Sequence, residues 1–275
     1  MTEVGFTHIG GPTVLIEVGG RRLLTDPTFD PPGRTYRFGW GTSSRKLAGP
    51  AVDAADLPPV DAVLLTHDHH GDNLDDAGRA LLAGAGTVIT TAPGARRLRR
   101  NAARSHDAGG PRDVRGLRAG ETYRLEGDGG PPITVTATPC RHGPPLSRPI
   151  TGAVVGFALT WPDQANGPLW ITGDTVLYPG VRRAAADLRP GTVLLHLGGV
   201  RFSLTGPVRY TMTGADALEL LDGVGATTVL PVHYEGWRHF AENRDGIAAS
   251  LDAGPAAITE RFTWLPIGET RTITV

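Results

Sequence analysis

The residues with the greatest capacity for chemistry lie in one stretch, Val63-Leu64-Leu65-Thr66-His67-Asp68-His69-His70-Gly71-Asp72-Asn73-Leu74-Asp75. Three imidazoles and several carboxylates crowd together there, and both are ligands that zinc, manganese and iron accept. The apolar run from Asp61 to Leu65 reads as a short buried strand. Gly71 closes the knot, and Asn73 reads as the N-cap of a following helix. A solvated polar loop is the plainer reading of a lone histidine. Three imidazoles packed at a strand's C-terminal end contribute little to stability and point instead to metal ligation.

A coordination shell needs donors from elsewhere in the chain, and three later places supply them. Ile133 to Thr138 reads as a strand that runs into Pro139-Cys140-Arg141-His142-Gly143. Leu169 to Thr172 runs into Gly173-Asp174-Thr175, and Thr227 to Val232 delivers His233 ahead of Tyr234-Glu235-Gly236-Trp237-Arg238-His239-Phe240. Each apolar strand ends in a metal-capable residue beside Gly or Pro. Strand ends that converge on one sheet edge are a rigid way to build a site.

These motifs, with Ile9-Gly10-Gly11-Pro12-Thr13-Val14-Leu15-Ile16-Glu17 and Leu24-Thr25-Asp26-Pro27 before them, stand in an order that resembles the metallo-β-lactamase-fold superfamily of metallohydrolases. Within it, the chain looks similar to the branch of the ascorbate-phosphate lactonase and the phospholipase D that cleaves N-acyl phosphatidylethanolamines. The resemblance covers nearly the whole chain. The family loop reads His-x-His-x-Asp-His, and this sequence departs from it. His67 matches the first ligand, Asp72 matches the carboxylate, either His69 or His70 supplies the second imidazole, and Asn73 stands where a histidine normally sits.

The resemblance implies an α+β fold, a four-layer αββα sandwich of two mixed sheets with helices on the outer faces, formed by residues 1–275 as one domain. It also implies two divalent metal ions, zinc or alternatively manganese. His67, His69 or His70, and His142 would hold the first, leaving a position for water whose pKa falls towards about 7. Asp72 and His233 would hold the second, with Asp174 bridging; Asp72 and Asp174 are the implied catalytic residues. The implied activity is cleavage of an ester-like bond, a lactone or phosphodiester, in a small phosphorylated substrate by a metal-bound hydroxide. The alternative is a non-catalytic scaffold with a degraded metal site, for which Asn73 is the argument.

Composition narrows the partners. A formal net charge of -1 and a pI near 6.8 leave no basic footprint for nucleic acid. The cationic residues are nearly all arginine, Lys46 being the only lysine. The densest basic run, Arg96-Arg97 with Arg99 and Arg100, reads first as a solvated helix face and otherwise as a site for an anionic substrate. The single cysteine, Cys140, excludes an internal disulfide and suits a reducing compartment. No signal segment and no apolar run of spanning length is evident. The expectation is a cytoplasmic protein with a small-molecule substrate, no membrane partner and scope for a homo-oligomer.

The elements around the site follow from pattern. Val4 to Ile9, Thr13 to Val18 and Arg21 to Thr25 read as strands, the latter two joined by the Gly19-Gly20 turn. Thr28 to Pro59 lacks periodicity but holds Phe29, Tyr36, Phe38 and Trp40, and reads as a flap over the site. Helices are expected over Leu74 to Ala83, from Pro93, after Pro179 and over Gly214 to Leu221. Further strands are expected near Thr87 to Thr90, Glu121 to Leu125, Gly152 to Trp161, Thr192 to Leu197, Thr259 to Leu265 and Thr270 to Val275. His106 reads as part of a surface turn. Asp68 could orient a ligating imidazole, and Tyr234 and His239 could line the pocket. Trp237 reads as core, His196 as a core histidine before a cleft-facing one, and His8 as near the site's edge.

Overall fold

The structure, a computed structural model, describes residues 2–104, 110–127 and 129–275. The turn expected at His106, and Asp128 of the expected Gly-Asp-Gly-Gly turn, lie outside the described residues. The chain opens with β1 (Glu3–Gly10), β2 (Thr13–Val18) and β3 (Arg21–Thr25), then a hairpin of β4 (Thr35–Gly39) and β5 (Thr42–Arg45). β6 (Ala62–Leu64), α1 (Asp76–Leu81), β7 (Thr87–Thr91), α2 (Ala92–Arg104) and β8 (Val114–Leu117) complete the first half. The second half runs β9 (Thr122–Leu125), β10 (Ile133–Pro139), α3 (Arg148–Thr151), β11 (Val155–Thr160), β12 (Leu169–Ile171) and α4 (Pro179–Leu188). It closes with β13 (Thr192–His196), α5 (Gly214–Leu221), β14 (Thr228–Val232), α6 (Arg244–Asp252), α7 (Ala256–Thr259) and β15 (Thr270–Thr274).

The strands form a seven-stranded sheet in the order β15-β1-β2-β3-β6-β7-β8 and a six-stranded sheet in the order β14-β13-β12-β11-β10-β9. Both are mixed: β3, β6, β7 and β8 run parallel, as do β12, β13 and β14, and the other pairs run antiparallel. Alternation along the strands decides the layers. Phe6, Ile16, Leu23, Leu64 and Ile89 of one sheet meet Val135, Phe157, Ile171, Leu194 and Leu230 of the other in a central core. The intervening residues point outwards: Leu24, Val63 and Val88 pack under α1 and α2 with Ala95 and Leu98. Trp170, Val193 and Leu195 pack under α4 to α7 with Val181, Leu220, Ile247 and Ile258. The result is helix, sheet, sheet, helix, as the resemblance implied.

Several local expectations are corrected. The Thr28 to Pro59 segment contains the β4–β5 hairpin, whose alternation buries Tyr36 and Phe38 and exposes Thr35 and Arg37. That alternation is too short to stand out among Pro and Gly. Thr259 to Leu265 is no strand; Thr259 ends α7, and the segment meets β14 through an isolated bridge between Val229 and Phe262. β8, α3 and α6 had no clear signal, being short or polar. Helix α1 is capped by Asp75, not Asn73: the Asp75 carboxylate accepts from the Gly78 amide at 2.8 Å.

Asp75 also ties the hairpin segment to the sheet. It accepts from the amides of Phe29 at 2.9 Å and Asp30 at 2.7 Å and pairs with Lys46 Nζ at 2.8 Å, both side chains being buried. Removing one partner of such a pair leaves an uncompensated buried charge. Lys46→Met is therefore expected to lower stability in urea titrations by about 3–5 kcal/mol.

Candidate metal centre

The C-terminal ends of strands from both sheets meet at one edge. His67 follows β6, His142 follows β10, Asp174 follows β12, His233 follows β14, and Asp26 follows β3. Local backbone features aim these residues. Gly173 has φ +64°, and a Cβ there would lie 2.7 Å from the Val155 carbonyl oxygen, so only glycine lets Asp174 enter. His233 itself has φ 60°, a left-handed conformation rare outside glycine. A non-glycine residue held there costs of order 1–3 kcal/mol and is sustained only by its surroundings.

Two trios of buried donors result: His67, His70 and His142; and Asp72, Asp174 and His233. In the first, His67 Nε2 lies 3.2 Å and His142 Nε2 3.3 Å from His70 Nδ1. Two nitrogens bound tetrahedrally to one zinc at ~2.0–2.1 Å would stand about 3.3 Å apart, so the spacing suits a shared ion. Two of the far nitrogens are held by protein: His67 Nδ1 by Thr66 Oγ1 at 3.0 Å and His142 Nδ1 by the Tyr210 carbonyl at 2.9 Å. Burial, with mutual repulsion added for His67 and His70, pushes the pKa values of these two well below the usual imidazole range. His142 is also lowered, by burial. The first trio is thus neutral at neutral pH, with lone pairs free.

In the second trio His233 Nε2 is 3.7 Å from Asp72 Oδ2 and 3.5 Å from Asp174 Oδ2. Burial works against charging His233, but the Asp174 and Asp72 carboxylates outweigh it and raise its pKa to about 9. Burial alone would raise Asp72; His233 and His239 instead hold it well below the carboxylate range. His70 Nε2, Asp72 Oδ1, both Asp174 oxygens and His233 Nε2 are buried with no hydrogen-bond partner among the described residues. The clustered nitrogens of the first trio, and the orphaned oxygens and nitrogen of the second, fit divalent cations in both places.

Of the two imidazoles the sequence left open, one stands among these donors. His70 joins the first trio; His69 turns away, its Nε2 bonded to the Thr151 carbonyl and its Nδ1 3.9 Å from Asp68. Asp68 does not orient His67 either: Arg97 Nε binds it at 2.8 Å and, against the effect of burial, keeps it ionised. Asn73 is buried with its amide aimed at Asp26 Oδ2, 3.3 Å away. Asp26 also accepts from the Thr66 amide at 2.7 Å, and burial raises its pKa to about 7 despite those bonds. Cys140 donates to the Thr172 carbonyl at 3.0 Å. Trp237 is core, against Tyr36 and Phe38, and His8 bonds the Gly11 carbonyl at 3.0 Å. His196 is buried 3.6 Å from Asp26 Oδ2. Sequence spacing could not show that His239 reaches Asp72 Oδ2 at 2.9 Å, six residues beyond His233.

The hairpin covers the centre. A Cβ at Gly71 would strike the Tyr36 ring, and Phe38 lies 5.4 Å from His70 and 5.0 Å from His239, ring to ring. A narrow recess of about 30 Å³ reaches His70, Asp72 and His142 between Phe38, Trp40, Thr151, Phe202 and Tyr210. On the other side of His142 opens a cleft of about 630 Å³ whose walls include Arg96, Arg118, Arg141 and Arg148.

The family described as beta-lactamase superfamily domain matches residues 21–234, and the chain belongs to that family, with its metallo-β-lactamase fold. A relative named UPF0173 metal-dependent hydrolase, from Methanoregula boonei, is 28% identical over 247 residues, covering 90% of this chain and 89% of the relative. The solved isothiocyanate hydrolase from Delia radicum gut bacteria superposes with TM-score 0.78 at 23% identity over 98% of this chain and 99% of that one. Igni18, a metallo hydrolase from Ignicoccus hospitalis, gives 0.70 at 20% identity and covers 98% of each chain.

Two outcomes follow from the geometry. His70→Ala should lose the ion of the first trio by elemental analysis, whereas His69→Ala should keep it. His233 is protonated below a pKa of about 9 in the metal-free protein, so a cation entering the second trio must displace that proton. Calorimetry in buffers of different ionisation enthalpy should show about one proton released from His233 near pH 7–8, falling towards zero above pH 9, with metal affinity rising over the same interval.

Proposed function

We propose that this chain is a metal-dependent hydrolase that works as one domain over residues 1–275 and carries two divalent ions, zinc or manganese. The observation that carries the reading is the pair of buried donor trios, whose facing nitrogens and oxygens, Asp72 Oδ2 apart, have no hydrogen-bond partner outside the trios among the described residues. Similarity to proteins named metal-dependent hydrolase and isothiocyanate hydrolase supports the hydrolase class. When bound, the ions would acidify a water and polarise the bond to be cut.

The chain's own residues then divide the work. His67, His70 and His142 would hold one ion through neutral nitrogens, and Asp72, Asp174 and His233 would hold the other. Asp72, whose Oδ1 has no partner among the described residues, would also orient the attacking water. Phe38 and Phe202 narrow the recess and exclude bulk solvent. The substrate is a small molecule with an ester-like bond, a lactone or phosphodiester, and a phosphoryl group. Arg96, Arg141 and Arg148 have no carboxylate within 4 Å among the described residues, which suits them to holding that anion. Neither nucleic acid nor membrane enters this reading, which sets the enzyme in the cytoplasm. Among the described residues no helix is long and apolar enough to cross a membrane.

A panel of phosphorylated lactones, neutral lactones and phosphodiesters tests it. Wild type should hydrolyse a phosphorylated member, and His67→Ala and Asp174→Ala should lose both activity and bound metal. Arg141→Gln with Arg148→Gln should raise KM for the phosphorylated member by about 10–100-fold, the worth of charge-assisted hydrogen bonds of ~1.5–3 kcal/mol. It should leave KM for a neutral ester unchanged. Full activity and metal in His67→Ala and Asp174→Ala would refute the assignment.

A further inference from the structure

In the loop pattern that this chain resembles, an imidazole stands where Asn73 does; Asn73 donates Nδ2 to Asp26 and leaves only its amide oxygen, without a partner among the described residues and a poorer ligand for zinc than imidazole. Two other buried histidines lie close. His196 approaches Asp26 at 3.6 Å and has no other carboxylate within 4 Å among the described residues. His239 instead places Nε2 2.9 Å from Asp72 Oδ2, the oxygen that faces His233 at 3.7 Å. An ionised carboxylate only accepts, so Nε2 is the protonated nitrogen of that ring and donates.

The ring has little freedom. Phe202 stacks on it at 5.2 Å and 25°, and Phe38 and Phe240 meet it edge-on at 5.0 and 4.8 Å. The His239 backbone amide is tied to Ser44 Oγ of β5 at 3.2 Å. The aromatic cage therefore comes from the hairpin and from loops of the second half, and it fixes one N–H against one oxygen of Asp72.

We propose that His239 takes over the part left by Asn73, as a positioning residue: its Nε2–H holds Asp72 so that the carboxylate is presented to the second ion. The imidazole missing from the loop is replaced by one acting through Asp72. This rests on the two-ion reading above. Partners of this kind commonly change metal affinity by about 10–100-fold.

The test is equilibrium dialysis against zinc and manganese, read by elemental analysis, on wild type and three variants. His239→Leu should bind the second ion about 10–100-fold more weakly and the first ion normally. His239→Gln, whose amide can still donate, should regain most of the loss. His69→Ala, which removes an imidazole from outside both trios, should bind both ions as wild type does. Two ions at wild-type affinity in His239→Leu, or a Gln variant as defective as the Leu variant, would overturn the proposal while leaving the two-ion reading intact. Wild type that binds no second ion would remove both. If His239→Leu does not fold, long-range proton–nitrogen NMR of metal-loaded wild type decides: a protonated Nε2 on His239 supports the role, and an unprotonated or metal-bound Nε2 refutes it.

Discussion

Burying several ligand atoms face to face is the constraint around which this molecule is arranged. Three neutral imidazoles point lone pairs at one another across 3.2–3.3 Å, and two carboxylates flank a buried imidazole beside them. Away from water such groups lose their hydration and repel one another, at a cost of several kcal/mol, unless protons or cations lie between them. His233 takes up a proton in compensation, as its raised pKa records. The first trio has no such recourse, since burial keeps its members neutral. A divalent cation at each trio, as proposed, would resolve both arrangements.

Much of the surrounding structure serves to hold that unfavourable geometry. Asp26 reaches under the imidazole loop and takes the Thr66 amide and hydroxyl as well as Asn73, so the loop hangs from a buried carboxyl. Gly173 admits Asp174 where any Cβ would collide, and His233 accepts a left-handed backbone to turn its ring inward. From above, the β4–β5 hairpin closes the centre with Tyr36 and Phe38, itself anchored through Lys46 and Asp75. The sandwich core beneath is apolar and continuous, which gives the strand ends the rigidity that ligand spacing requires.

The layers and the strand-end positions of His67, His142, Asp174 and His233 were legible because period-2 patterning and Gly or Pro punctuation are local signals. The choice of His70 over His69 was not. It depends on where the Thr151 carbonyl lies, 82 residues away, and no spacing rule encodes that. Asn73 looked like a cap because Asn often is one, yet a buried acceptor at Asp26 captured its amide and Asp75 capped α1. The hairpin was hidden by its brevity. His239 was noted only as a pocket residue, because its contact with Asp72 spans 167 residues. The basic run shows the same dependence on context: Arg97 is spent on Asp68 and Arg99 on the Val114 carbonyl, while Arg96 faces the cleft.

The most direct measurement is anomalous X-ray diffraction from crystals of the metal-loaded protein at the absorption edges of zinc and manganese. The account predicts one peak at about 2.0–2.2 Å from His67 Nε2, His70 Nδ1 and His142 Nε2, and a second among Asp72, Asp174 and His233. Maps with no peak at either trio, or with the metal held by His69 in place of His70, would contradict it.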